Sequence, residues 1–166
     1  MIVLCDTSAL SALAELELLE LLPQLHPEVT ITASVLREGL HPRAPAPLRT
    51  WLAHPPAWIS IVPDPPENLP ETSSLGAGEA SSISHAWQLR NHALLIILDD
   101  SQARLIAQAL GLPITGLIGI LGRAAHLGLV DFPLVVAQLA TIGFRISPQV
   151  IQRVRQQPGL PPDAAS

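Results

Sequence analysis

The sequence predicts an α/β fold, a three-layer α/β/α domain with a central parallel sheet of four to five strands, and three observations carry that prediction. Short apolar, β-branched runs alternate with longer helical patterns along the chain. With 166 residues there is room for one full core but not for two ordinary domains. Two of the apolar runs end directly in acids, Asp6 and the pair Asp99-Asp100. Strands separated by helices require crossover connections and so pair in parallel, and such sheets bind ligands outside the carboxyl ends of their strands.

The elements follow in order. Ile2 to Cys5 is a buried strand, and Asp6-Thr7-Ser8 after it supplies helix-capping side chains. The leucines from Leu10 to Leu22 mark an amphipathic helix or a broken pair of helices, stopped before Pro23. Val29 to Thr32 is the second strand, and Ser34 can cap a short helix through Leu40 that carries Arg37 and Glu38. The proline-rich connection from His41 leads to a short helix around Leu48, Trp51 and Leu52, and Ile59 to Val62 is a third strand. Pro63 to Ser74, with four prolines and three acids, predicts a flexible loop without regular structure.

The stretch from Leu75 to Arg104 reads as a glycine-punctuated helix start carrying Glu79, then a strand from Ala93 to Leu98, then Asp99 and Asp100. A helix from Ser101 to Leu110 closes at Gly111, Ile114-Thr115 is a brief strand, and helices start at Gly116, Pro133 and Ser147-Pro148. The expected organisation is one domain over residues 1–157, with a frayed tail over 158–166.

Composition narrows the function classes. Charged residues make up only 14% against 48% hydrophobic, which excludes a disordered chain. The longest uncharged stretch, Leu105 to Gly122, is broken by Pro113 and by glycines into separate elements, so the chain is expected to be soluble. MIVLCD offers no signal peptide, and one cysteine allows no internal disulfide, so a cytoplasmic setting is expected. The net charge of -5 argues against coating nucleic acid by charge alone. Residues 1–100 nevertheless carry four Arg against twelve acids, and the remainder five Arg against two acids. That asymmetry suits an acidic site flanked by a modest basic surface, and solvated helix faces explain it equally well.

No Cys/His spacing suits zinc, so a metal site here must be built from carboxylates and would take Mg²⁺ or Mn²⁺. Asp6, Asp99 and Asp100 each follow a strand, and Glu38 and Glu79 lie on helices that can project toward the same sheet edge. Clustered carboxylates repel unless a cation compensates them, and a divalent ion held there can offset the charge of a phosphodiester during in-line displacement. Each acid also has a local use. Asp6 and Asp100 stand at N-cap positions, Glu79 lies in a first helical turn, and a solvent-facing Glu38 would be ordinary. The histidines 41, 54, 85 and 92 have no partner at a ligand spacing and are expected at the surface, and the three tryptophans are expected in core or dimer packing.

These segments together resemble the PIN-domain family, specifically its bacterial and archaeal branch related to the toxin nucleases of toxin–antitoxin pairs. The resemblance rests on DTSAL (Asp6 to Leu10), ITASVLREGL (Ile31 to Leu40), LGAGEASSISHA (Leu75 to Ala86), LIILDDSQARLIAQALGLPITG (Leu95 to Gly116) and LIGILGRAAHLGLV (Leu117 to Val130). It implies a Mg²⁺- or Mn²⁺-dependent endoribonuclease acting on RNA, with a homodimer and a protein antitoxin as expected partners. It implies that Asp6, Glu38, Glu79 and Asp100 match the family's four acids, that Asp99 matches a doubled acid, and that Asp6, Glu79 and Asp100 are metal ligands. Ser8 or Thr7 matches a hydroxyl beside the metal, and Arg104 an arginine after the acid pair. Arg104 also lies four residues after Asp100, at the spacing of a local helix salt bridge. A PIN-like module that no longer cuts is the alternative from another class. A doubly wound nucleotide-binding protein would need a glycine-rich loop after the first strand, and DTSAL has none.

Overall fold

The computed structural model describes residues 1–156, which form two compact units, one from Met1 to Gly116 and one from Leu117 onward. The predicted tail over 158–166 lies outside the described residues. In the first unit the strands are β1 (Ile2–Cys5), β2 (Val29–Thr32), β3 (Ile59–Val62), β4 (Leu94–Ile97) and β5 (Ile114–Thr115). All four pairings are parallel, in the order β3-β2-β1-β4-β5. The α/β class and the sheet are therefore as the alternation of elements predicts, and helices flank the sheet.

The strand order explains where a site can form. The chain builds β1, β2 and β3 outward in one direction and then crosses back to place β4 and β5 on the other side of β1. The order reverses between β1 and β4, and a crevice opens outside the carboxyl ends of strands at such a reversal. Register aligns the two strands there, with Cys5 opposite Ile97 and the Asp6 N–H donating to the Ile97 carbonyl at 3.1 Å. Asp6 therefore stands level with Leu98, and Asp99 follows one residue further on.

Helices α1 (Thr7–Glu15), α2 (Leu21–Leu25), α3 (Ala33–Leu40), α4 (Ala46–Leu52), α5 (Ala77–Gln88) and α6 (Ser101–Ala109) complete the first unit. Its core includes Leu4, Ile83, Leu94, Ile96, Leu98 and Ala103, all buried between sheet, α5 and α6. Each such leucine or isoleucine contributes about 1.5–3 kcal/mol of burial. In the second unit, α7 (Leu117–His126), α8 (Phe132–Thr141) and α9 (Pro148–Arg155) pack with Gly122 of α7 against Val154 and Phe132.

Three expectations change in detail. Pro23 does not stop a helix but sits inside α2, in the first turn, where its missing N–H has no intrahelical partner to lose. The break falls earlier, at Glu17, whose φ of 59° is left-handed. The α3 cap is Thr32, whose hydroxyl accepts from the Val35 N–H at 3.3 Å, and Ser34 is instead one residue inside the helix. The loop after β3 is tied down. Asp64 accepts from the Ser34 N–H (2.8 Å) and Ser34 hydroxyl (3.0 Å) and pairs with Arg37 at 2.6 Å. Further on, Pro70–Thr72 form a 3₁₀ turn and the Leu69 N–H donates to Ser84 at 2.9 Å. Asp64→Ala is expected to lower stability by about 1–2 kcal/mol through loss of this second α3 cap, measured as a shift in the urea midpoint.

The tryptophans pair with neighbours at the edge of the core. Trp51 and Trp58 stack at a tilt with ring centroids 5.5 Å apart, and Arg90 lies over Trp87 at 4.3 Å. His41, His54 and His92 are exposed as expected, whereas His85 is half-buried, and burial holds its imidazole pKa below the ordinary value.

Candidate active site

Asp6 follows β1 directly and is 1% exposed, because the N-cap position turns its side chain back over the first turn of α1. Its Oδ1 accepts from the Ala9 N–H at 3.1 Å and its Oδ2 from the Ser8 hydroxyl at 2.7 Å. These two bonds favour the charged form, but burial outweighs them. Burial, with added repulsion from Asp99 and Glu79, pushes the Asp6 carboxyl up to about 7. The neighbouring Cys5 thiol is raised by burial and then by Asp6 and Asp99, so it is an inert core group.

Asp99 and Asp100 leave β4 at the same edge. Asp100 is exposed and caps α6, its Oδ1 accepting from the Ala103 N–H at 2.8 Å. Asp99 is half-buried. Gly116, just past β5, makes room beside it: a Cβ on Gly116 would stand 2.8 Å from Asp99 Oδ1 and 3.0 Å from Arg104 Nη1. The guanidinium of Arg104 is thus held near Asp99, and its Nη1 donates to the Leu98 carbonyl at 2.7 Å at the end of β4. The hydrogen bond of Arg104 runs back to the strand, whereas the i,i+4 spacing to Asp100 suggested a pair along the helix.

Glu79 is in the first turn of α5, where its Oε2 accepts from the Gly76 N–H at 3.1 Å. Burial raises its pKa most, followed by repulsion from Asp100 and Glu38. Glu38 differs from the other four. Its Oε2 accepts from the Thr7 hydroxyl at 2.6 Å and its Oε1 from the Gly78 N–H at 2.8 Å, so one carboxylate clasps α1, α3 and α5 together. Gly78 permits this clasp, since a Cβ there would collide with Glu38 Oε2 and stand 3.1 Å from Thr7 Oγ1. Gly78→Ala is expected to cost about 1–3 kcal/mol and to displace Glu38. Urea denaturation checks the first effect and a rise in cleavage KM or fall in kcat the second.

The five acids therefore gather at the edge where the strand order reverses: Asp99 and Glu79 add repulsion to Asp6, and Asp100 and Glu38 add it to Glu79. They do not converge on one point: among the described residues, no three His, Cys, Asp or Glu side chains stand close enough to hold an ion together. The donor set still fits a hard divalent cation. Mg²⁺ keeps several of its waters and takes one or two carboxylates directly, so a looser ring of oxygens suffices. The local caps use Glu79 Oε2 and Asp100 Oδ1, so the second oxygen of each carboxylate could ligate a cation. Asp6 would gain most from such a cation, because it is buried and Asp99 and Glu79 repel its charge.

The five acids are named by the sequence, and close packing accounts for Gly78 there, but the sequence does not signal Thr7 as donor to Glu38, Gly116 as a space beside Asp99, or Asp64 behind α3. A glycine inside the first turn of a helix was the available signal, since it costs about 1 kcal/mol relative to alanine unless a close approach requires it.

No curated protein and no solved structure matches the chain at a significant level. A family model described as a PIN domain matches residues 2–159, nearly the whole chain. With that match and the five-stranded parallel sheet carrying its acids at the β1/β4 edge, the chain belongs to the PIN-domain family.

Proposed function

We propose that the protein is a Mg²⁺- or Mn²⁺-dependent endoribonuclease that hydrolyses phosphodiester bonds in RNA. PIN-family membership points to a nuclease, and one observation carries the reading further: a carboxyl buried at the end of β1 and pushed up to about 7, with Asp99 and Glu79 as repelling neighbours. A buried carboxyl facing other acids is costly as a structural device and useful beside a bound cation. Among Asp6, Glu79 and Asp100, one or two would hold the ion directly and the rest through its bound waters, with Asp99 beside them. When bound, the ion would offset the charge of the phosphodiester and lower the pKa of a water beside it.

The remaining roles belong to the chain itself. Ser8 orients Asp6 through its hydroxyl, and Glu38 fixes the approach of α1 and α5. Arg104, anchored on the Leu98 carbonyl, places a cation next to Asp99. Guanidinium N–H groups there suit a phosphate oxygen. A labelled single-stranded oligoribonucleotide incubated with Mn²⁺, or with excess EDTA, tests the reading: cleavage in the first and none in the second is expected.

A PIN-like domain over residues 1–157 is the proposed organisation, supported by the match over 2–159. A cytoplasmic homodimer with toxin activity, restrained by a protein antitoxin, is the proposed setting. The high apolar content supports a dimer, and no helix among the described residues is long and apolar enough to cross a membrane. A second reading, a PIN-like module that binds but does not cut, is favoured by the spread of the carboxylates. Absence of Mn²⁺ binding at millimolar concentration would establish it.

A further inference from the structure

Three of the four arginines in the first hundred residues, Arg37, Arg43 and Arg49, fall at the α3–α4 corner of an otherwise strongly acidic half. A cavity of about 470 Å³ opens there, lined by Thr7, Arg37, Glu38, His41, Arg43 and Pro45 among others. It shares Thr7 and Glu38 with the candidate active site, so its inner end adjoins the acid cluster. Its volume lies within the roughly 300–1,000 Å³ of sites that take a small organic group.

The outer end is cationic and braced. Arg49 donates through Nη1 to the carbonyls of Pro42 (2.6 Å) and Ala44 (2.5 Å), fixing the turn that presents Arg43. The Arg43 N–H donates to His41 Nδ1 at 3.1 Å, so the neutral His41 ring carries its proton on Nε2 and offers it as a donor. Arg37 is bound to Asp64 and Ser34 through Nη2 alone, which leaves the donors on Nε and Nη1. Arg43 makes no ion pair among the described residues. Pro45 adds an apolar wall of the kind on which a base can lie.

We propose that this cavity is the subsite for one nucleotide of a single-stranded RNA next to the scissile phosphate. Arg43, with His41 and Arg37, takes the neighbouring backbone phosphate, the base lies against Pro45, and Glu38 at the inner end turns away further anionic charge. Charge complementarity selects the occupant: Arg43, His41 Nε2 and the remaining N–H groups of Arg37 suit a phosphate, and the carboxylate at the inner end separates that phosphate from the acid cluster. A duplex would not fit, because its base faces are stacked and cannot enter a one-nucleotide cavity. The inference deepens the ribonuclease reading and rests on it for the position of the scissile bond.

Fluorescence anisotropy with a labelled single-stranded oligoribonucleotide in EDTA measures binding without cleavage. Arg43→Ala is expected to weaken binding about tenfold and to reduce the salt slope by roughly 0.7, the release of one phosphate contact. Arg43→Lys should recover part of the loss, and Arg90→Ala, at an exposed position in the turn after α5, should change nothing. Binding by Arg43→Ala equal to wild type, equal affinity for double-stranded RNA, or no saturable binding by wild type would each overturn the subsite. Arg43-dependent binding without Mn²⁺-dependent cleavage would uphold the subsite and sink the ribonuclease reading. Cleavage with unchanged binding by Arg43→Ala would do the reverse.

Discussion

Asp6→Asn is expected to lower Mn²⁺-dependent cleavage of single-stranded RNA by at least about 10²–10³-fold while leaving the fold intact. Asparagine keeps the shape of the side chain and an oxygen that can accept from the Ala9 N–H, so α1 retains its cap. It removes the anion that a divalent ion would neutralise. The check is an initial-rate assay with purified wild-type and variant protein, together with circular dichroism to show that both are folded. Cleavage by the variant at the wild-type rate would remove Asp6 from the chemistry.

The same substitution is expected to stabilise the metal-free protein at alkaline pH. The folded pKa of Asp6 is about 7 against an ordinary value of 3.8. Between those values the folded state binds more protons than the unfolded one, so unfolding free energy falls as pH rises through that window and stays low above it. For a residue this buried the full effect is on the order of 2–4 kcal/mol. In EDTA, wild-type protein should therefore melt at a lower temperature at pH 8 than at pH 5, and Asp6→Asn should lose most of that difference. Adding Mn²⁺ at pH 8 should raise the wild-type melting temperature and leave the variant nearly unmoved. A wild-type melting temperature independent of pH would show that the carboxyl is not strained. An activity loss joined to a stability gain is what separates a functional acid from a cap, since loss of a cap alone costs stability.

The two predictions bear on the main ambiguity of the sequence. Asp6, Asp100 and Glu79 occupy capping positions, and all three do accept backbone N–H bonds there. Capping and cation binding are thus not competing explanations. A cap uses one lone pair and orients the carboxylate, so the same acid can cap a helix and face a cation.

The fold was legible because its signals are local and periodic. β2 and β3 match their sequence bounds, Val29–Thr32 and Ile59–Val62, since β-branched runs flanked by turn residues leave few alternatives. Asp6, Asp99, Asp100 and Glu79 stand out because each follows a strand or lies in a first helical turn, whereas Glu38, near the end of α3, has no such local signal. What holds the acids was not legible. The Thr7–Glu38 bond spans 31 residues, Glu38–Gly78 spans 40, and Asp64 reaches 30 residues back to Ser34. No periodicity encodes such contacts. The proline-rich stretch from Pro63 misled for the same reason: its composition is that of a loop, but Asp64 and Leu69 anchor it by bonds to α3 and α5. The basic corner was hidden by the charge sum of the acidic half, in which three clustered arginines barely register.

Calorimetric titration of Mn²⁺ into the metal-free protein near pH 7 tests the central claim most directly. Near that pH Asp6 is about half protonated, so binding should displace a proton and the heat should depend on the ionisation enthalpy of the buffer. The account predicts saturable, buffer-dependent binding below millimolar Mn²⁺ that Asp6→Asn abolishes. No heat at millimolar Mn²⁺, or equal binding by the variant, would contradict it.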